Sequence, residues 1–327
     1  MSAAELLERL GGTGQLRDKC RGALVGTAVG DGLGQPFEGH QGPVSSRQMT
    51  LVELDDRQLR HTDDTAMTMA LAESLLYTGD LDQDHLAATF ARCWEREPDR
   101  GYGGGTASLL AHICAGVPWK EAAESQFDGQ GSFGNGAAMR VAPVALWACG
   151  DTALAAEAAR RSAVVTHTHP LGVDGAAVQA SAVAAALAHP LTQPLDRAAF
   201  LAQVRAAATQ TALAHQLDVV ASLLSEGTAH DVATQVGTGI EAHEAVPAAI
   251  CSFLCHPDSF GETIRFAIGL GGDTDTIAAM AGAISGAFLG ERAIPRPWAE
   301  RTEAALGRCA TLADRFVHRM LPGHDPA

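Results

Sequence analysis

Aromatic residues are scarce: Phe, Trp and Tyr make up 5% of the 327 residues. So few rings exclude an interior of aromatic layers. The core must come from alanine, leucine and other compact side chains, which suits close helix-on-helix packing better than a β-sandwich. Positive charge is short as well, with 23 Lys and Arg against 38 Asp and Glu and a net charge of −15. That balance excludes non-specific tracking of nucleic-acid phosphates, so a phosphate ligand would need metal, backbone amides and a few local cations. The seven cysteines are an odd number scattered along a long chain, which excludes a secretory disulfide framework. No apolar stretch of membrane-spanning length is free of Gly, Pro or charge, and the first ten residues lack a basic region followed by an apolar one. Neither a membrane span nor a signal peptide is expected. Period-2 strands, internal repeats and low-complexity linkers are missing too. The expectation is a cytoplasmic monomer, one all-α domain over residues 1–327, with loose termini at 1–14 and 321–327.

Against this background two acidic turns stand out. Gly271-Gly272-Asp273-Thr274-Asp275-Thr276 packs two carboxylates and two hydroxyls behind a glycine pair and opens an apolar run. His61-Thr62-Asp63-Asp64-Thr65 does the same far upstream. Helix capping explains one Asp in each, since caps and first-turn acids are favoured by the orphan amides and the macrodipole. It does not explain four carboxylates, whose mutual repulsion a bound cation would relieve. Together Asp63, Asp64, Asp273 and Asp275, with the hydroxyls of Thr62 and Thr276, offer enough oxygen for two magnesium or manganese ions that keep some water.

Glycine-rich loops supply a second theme. Residues 16–29 are expected to form a helix ending in Gly30-Asp31-Gly32-Leu33-Gly34-Gln35-Pro36-Phe37-Glu38, a loop in which Asp31 bonds its own backbone and Glu38 is a solvated acid. Arg100-Gly101-Tyr102-Gly103-Gly104-Gly105-Thr106 and Phe127-Asp128-Gly129-Gln130-Gly131-Ser132-Phe133-Gly134-Asn135-Gly136 each precede an apolar helix, where backbone amides approach an anion and a Phe stacks on a base. A flexible connector and a plugged structural turn are the plain alternatives. A helix is expected over 137–147, with Arg140 as an ion-pair partner, and one closing helix over 298–320. His167 and His169 before Pro170, and Cys251, Cys255 and His256, lack the further ligands of a zinc site.

These motifs resemble those of the ADP-ribosylglycohydrolases, magnesium-dependent all-helical enzymes. The resemblance runs from Gly22-Ala23-Leu24-Val25-Gly26 to Phe288-Leu289-Gly290. It is carried most strongly by Thr62-Asp63-Asp64-Thr65-Ala66-Met67, Gly134-Asn135-Gly136-Ala137-Ala138-Met139-Arg140 and Gly271-Gly272-Asp273-Thr274-Asp275-Thr276. Phe37-Glu38, Arg100-Gly101-Tyr102-Gly103, Phe127, Gly131-Ser132, Thr166-His167 and Val246-Pro247 look most like the ADP-ribosylhydrolase-three branch, which acts on O-linked ADP-ribose. The resemblance implies two magnesium ions held by Thr62, Asp63, Asp64, Asp273, Asp275 and Thr276. It implies catalysis by Glu38 and Asp275, and diphosphate binding by Gly131, Ser132, Phe133 and Gly134. Phe127 would lie by the adenosine and His167 against the substrate, with Gly103, Gly104, Asn135 and Ile240 completing the contacts. The implied reaction releases ADP-ribose from an ADP-ribosylated protein or small molecule. Arginine-linked substrates, non-catalytic ADP-ribose binding and nucleotide pyrophosphate hydrolysis are the competing readings.

Overall fold

Glycine lets two helices touch through their backbones, and the molecule is built around one such pair. The computed structural model describes residues 1–225, 227–302 and 305–321. Its helices run in order α1 (Ala3–Leu10), α2 (Thr13–Gly34), α3 (Ser46–Leu54), α4 (Asp63–Thr78), α5 (Gln83–Arg96) and α6 (Gly104–Cys114). Next come α7 (Trp119–Glu124), α8 (Ala142–Trp147), α9 (Thr152–Ala163), α10 (Pro170–Ala188), α11 (Arg197–Arg205) and α12 (Thr211–Leu223). The chain closes with α13 (Ala229–Gln235), α14 (Ala242–Cys255), α15 (Phe260–Gly269), α16 (Thr274–Leu289), α17 (Arg296–Arg301) and α18 (Ala305–Met320). Among the described residues there is no strand, only isolated bridges. The all-α, single-domain expectation holds.

The central pair is α2 and α16. On α2, Gly22, Gly26, Gly30 and Gly34 recur every fourth residue and so share one face. A Cβ at Gly22, Gly26, Gly30 or Gly34 would overlap Gly286, Gly282, Ala278 or the Thr274–Asp275 backbone, respectively. The contacts descend one helix as they climb the other, so the pair is antiparallel. Here lies the first departure from expectation. The glycines of 30–34 do not break the helix; α2 continues to Gly34 because the missing side chains of Gly30 and Gly34 are what the contact requires, while Gly32 faces Leu59.

Around this pair, α16 packs on α4, α10, α14 and α15, and α2 packs on α18. Helix α10 is long and apolar enough to cross a bilayer by length and composition, but here it is an interior helix, 89% buried over its apolar window. Fully buried Lys19 closes the C-terminal ends of α10 and α16, its Nζ donating to the carbonyls of Ala186 at 2.9 Å and Ala287 at 3.0 Å. Both carbonyls belong to helix ends in an apolar interior, where Ala186 O otherwise has only the long 3.3 Å bond from His189 N.

Three other expectations are corrected. Residues 1–14 are not loose: α1 has a Ser2–Glu5 capping box, buries Leu6 and Leu10, and is followed at once by α2. Residues 137–147 form a short 3-10 turn at Asn135–Ala137 and then α8, which begins with Pro143 in its first turn. The closing helix is two, α17 and α18, because Thr302 turns extended where Leu59 N–H bonds the Arg301 carbonyl at 2.7 Å. The expected tail beyond Leu321 lies outside the described residues.

Candidate active site

The N-terminus of α16 is set by the glycine contact, and what precedes it is a tight turn. Gly271 and Gly272 are both left-handed, at φ 76°, and a Cβ there would overlap the Gly42 and Thr238 carbonyls. Gly272 exchanges two hydrogen bonds with the loop after α2, donating to His40 O at 3.0 Å and accepting from Gly39 N at 2.9 Å. Glu38 is thereby held beside Asp273. It stands exposed on the rim, its carboxyl nudged upward by partial burial and then by the Asp273 charge.

The upstream turn is held from below by Asp31. With α2 continuing past Val29, Asp31 is a buried helix residue rather than a turn residue. Its carboxylate accepts from Thr62 N at 2.9 Å, from Thr65 N at 3.2 Å and from the Thr65 hydroxyl. It thus fixes the first turn of α4, where Thr62 is the N-cap and Asp63 and Asp64 follow. Burial pushes Asp31 up to about 6, against the hydrogen bonds from Thr65 and Thr62.

The two turns meet. The Thr276 hydroxyl reaches Asp64 Oδ1 at 3.5 Å across 212 residues of sequence. Asp64 is 2% exposed and Asp275 4%, and Asp64 Oδ2 and Asp275 Oδ1 have no hydrogen-bond partner among the described residues. Burial, and after it mutual repulsion, holds Asp63, Asp64 and Asp275 well above the usual carboxylate range. Asp273 is raised by burial too, although Asn135 Nδ2 donates to its Oδ2 at 2.6 Å. Among the described residues no three His, Cys, Asp or Glu side chains close on a single point. The site is a pair of facing acidic turns.

The second glycine-rich loop borders this pair. Asn135 N donates to Ile240 O at 2.9 Å and Ala242 N to Phe133 O at 3.1 Å, stitching the loop to the start of α14. Phe127, left-handed at φ 51°, and Phe133 and Ile240 are 55%, 40% and 65% exposed. Phe127 and Phe133 stand 6.4 Å apart by centroid, and Phe133 meets His169 edge-on at 5.7 Å. Exposed rings beside a glycine-rich loop, whose Ser132 and Phe133 amides have no acceptor among the described residues, suit a base joined to phosphate. Gly103 and Gly104 have open space above them, and the next glycine, Gly105, backs onto Phe127. His167 is buried under the loop, its ring so close to Gly136 that a Cβ there would come within 2.9 Å of Cε1.

The two acidic turns, the Glu38 loop and the Phe127–Asn135 loop thus adjoin one another, whereas Cys251, Cys255 and His256 lie at the opposite, C-terminal end of α14. Missed were Asp31, for which the four-residue glycine spacing was the available signal, and the backbone carbonyl of Thr238, which accepts from Asp273 N at 2.9 Å. Arg140 was misassigned. It is fully buried and has no ion pair among the described residues; it donates to Thr166 and lies over Phe90 at 4.4 Å.

Known proteins resemble this chain in sequence and fold. A sequence model of the ADP-ribosylglycohydrolase family matches residues 13–325. ADP-ribosylhydrolase ARH3 of Mus musculus is 35% identical over 324 residues, 86% of this chain and 87% of that protein. ADP-ribosylhydrolase ARH3 of Homo sapiens is 36% identical over 333 residues, 89% of this chain and 91% of that one. A solved structure described as an ADP-ribosylglycohydrolase-related protein complex superposes with a TM-score of 0.71 at 28% identity, over 93% of this chain and 98% of that chain. Carrying the family's sequence over nearly its whole length and its fold around two facing acidic turns, the chain belongs to the ADP-ribosylglycohydrolase family of glycohydrolase enzymes.

Proposed function

We propose that the protein is a magnesium-dependent hydrolase that releases ADP-ribose from an O-linked acceptor such as an ADP-ribosylated serine. The observation that carries this is the meeting of the two turns at Thr276 and Asp64, with two buried carboxylate oxygens left without donors. Oxygen-only donors of this kind suit hard divalent cations. Thr62, Asp63, Asp64, Asp273, Asp275 and Thr276 would hold magnesium, or manganese in its place. Bound divalent cations would supply the positive charge that lets the buried carboxylates ionise together and that grips sugar hydroxyls beside the scissile bond.

The chain's own groups do the rest. In the Gly131–Gly134 loop the amides of Ser132 and Phe133 receive the diphosphate, those of Gly131 and Gly134 being engaged by Gln126 O and the Ser132 hydroxyl, and Phe127, Phe133 and Ile240 offer the apolar face for the adenine. As the glycosidic C–O bond breaks, a proton must reach the leaving oxygen and one must leave the attacking water. Glu38 is better placed for this exchange than Asp275, because it stands at the open rim while Asp275 is buried. O-linkage is favoured over arginine linkage by the resemblance of Phe37-Glu38, Arg100-Gly101-Tyr102-Gly103 and Thr166-His167 to the branch that acts on O-linked ADP-ribose.

The test is mass spectrometry of the products from an ADP-ribosylserine peptide, an ADP-ribosylarginine peptide and O-acetyl-ADP-ribose. Expected are free ADP-ribose from the O-linked substrates, loss of turnover with chelator and recovery with magnesium. Release of AMP, or turnover that survives chelation, would overturn the proposal. Release of ADP-ribose from the arginine peptide alone would reassign the linkage.

A further inference from the structure

Beneath the glycine loop lies a buried chain of hydrogen bonds that the reaction chemistry does not itself use. Arg140 Nη2 donates to the Thr166 hydroxyl at 2.7 Å, and that hydroxyl lies 2.7 Å from His167 Nδ1. All three side chains are at least nine-tenths buried. A guanidinium only donates, so the Thr166 oxygen is an acceptor toward Arg140. The hydroxyl has one proton of its own. Were His167 to donate from Nδ1 as well, that proton would have no acceptor in a fully buried place, and an unmade buried hydrogen bond is expensive. The satisfied arrangement is therefore one-directional: Arg140 to Thr166, Thr166 to Nδ1. That leaves the ring's proton on Nε2.

The other side of the ring faces the loop. Nε2 has no hydrogen-bond partner among the described residues, and a Cβ built on Gly134 or Gly136 of the loop would stand 3.8 or 3.0 Å from it. Protonating the ring does not compete. Burial, reinforced by the Arg140 charge, pushes His167 down to about 3. Arg140 has no carboxylate bonded to it; Asp63 attracts it from further off. The groups facing His167 are thus Arg140, Thr166 and the loop backbone.

We infer that Arg140 and Thr166 are positioning residues that lock His167 as a neutral Nε2–H donor, aimed at an anionic oxygen of the substrate where it crosses the glycine loop. A neutral donor held this way gives a directional hydrogen bond whose strength does not change with pH near neutrality, unlike an ordinary histidine. The oxygen belongs to the ADP-ribosyl group proposed above, so the inference rests on that reading.

The test is long-range ¹H–¹⁵N correlation spectroscopy of the histidine rings in the ligand-free protein, with His167 assigned by its loss in His167→Gln, together with calorimetric titration with ADP-ribose. Expected is an Nε2–H pattern for His167 that is unchanged between about pH 5 and pH 8. Thr166→Val should mix or reverse the tautomers and weaken ADP-ribose binding on the order of tenfold, the worth of one hydrogen bond to a charged acceptor. Thr166→Ser, which keeps the hydroxyl, should restore both. An Nδ1–H pattern in a protein that binds ADP-ribose overturns the relay and leaves the functional reading standing. An Nε2–H pattern in a protein that does not bind ADP-ribose overturns the donor role together with that reading. Thr166→Val with unchanged tautomer and affinity overturns the inference outright.

Discussion

Lys19 shows how much a single residue is asked to do. Burial pushes its ammonium from the ordinary 10.5 down to about 7, yet it carries the only donors that reach Ala186 O and Ala287 O from a side chain among the described residues. The sign of the pH effect follows from the proton count. Below about pH 7 folded and unfolded chains both hold the proton and the burial penalty is full. Between about 7 and 10.5 the unfolded chain holds more protons than the folded one, so stability rises with pH. Urea unfolding of wild type and Lys19→Met at about pH 7 and about pH 9.5 should show wild type gaining on the variant by about 3 kcal/mol at most. A pH-independent difference would mean that Lys19 stays charged when buried. Asp31 makes a second residue-scale prediction. Its Oδ2 accepts from three donors and its Oδ1 also faces Thr62 N at 3.1 Å, so an amide in its place would turn an NH₂ toward at least the Thr62 N–H. Asp31→Asn should lower stability by about 2–4 kcal/mol, seen as a lower urea midpoint with an unchanged m-value. An unchanged midpoint would show that the first turn of α4 stands without it.

Between elements, the glycine contact of α2 and α16 decides where the acidic turn can be. Gly30→Ala would drive a Cβ into the Ala278 backbone, and neither helix can retreat from a fully buried seam. The expected loss is about 3 kcal/mol or more, or failure to fold. Gly14→Ala, on the same helix but with nothing within 4 Å, should be neutral or stabilising by up to about 1 kcal/mol. Equal effects at the two positions in thermal or urea unfolding would contradict the packing role. The same glycines explain what could and could not be read from the chain. Helical spacing and the poverty in rings were enough for an all-α fold. The end of α2 was misplaced because glycine breaks a helix most readily where it faces solvent, and here Gly30 and Gly34 face another backbone while Gly32 packs on Leu59. Their recurrence at every fourth position, matched by Gly282 and Gly286, was the usable sign. Nothing local marked the split between α17 and α18, since it depends on a bridge from Leu59 to Thr302, distant in sequence.

At the scale of the whole molecule, the fold brings together residues 212 positions apart. The acidic turns were legible because four carboxylates exceed what capping can use. The roles of Glu38 and Ile240 came from resemblance alone, since loop residues carry no periodicity to betray their place. Glu38→Gln tests the rim assignment: turnover of an ADP-ribosylserine peptide should fall about 10²–10⁴-fold, while ADP-ribose binding by calorimetry stays close to wild type. Unchanged turnover would remove Glu38 from the chemistry. The account depends most on the facing turns acting as one cation site. Its direct measurement is calorimetric titration of chelator-treated protein with magnesium, on wild type, Asp64→Asn and Asp275→Asn. The account predicts saturable binding in wild type that is lost when either turn is altered; no binding in wild type, or binding that survives both replacements, would contradict it.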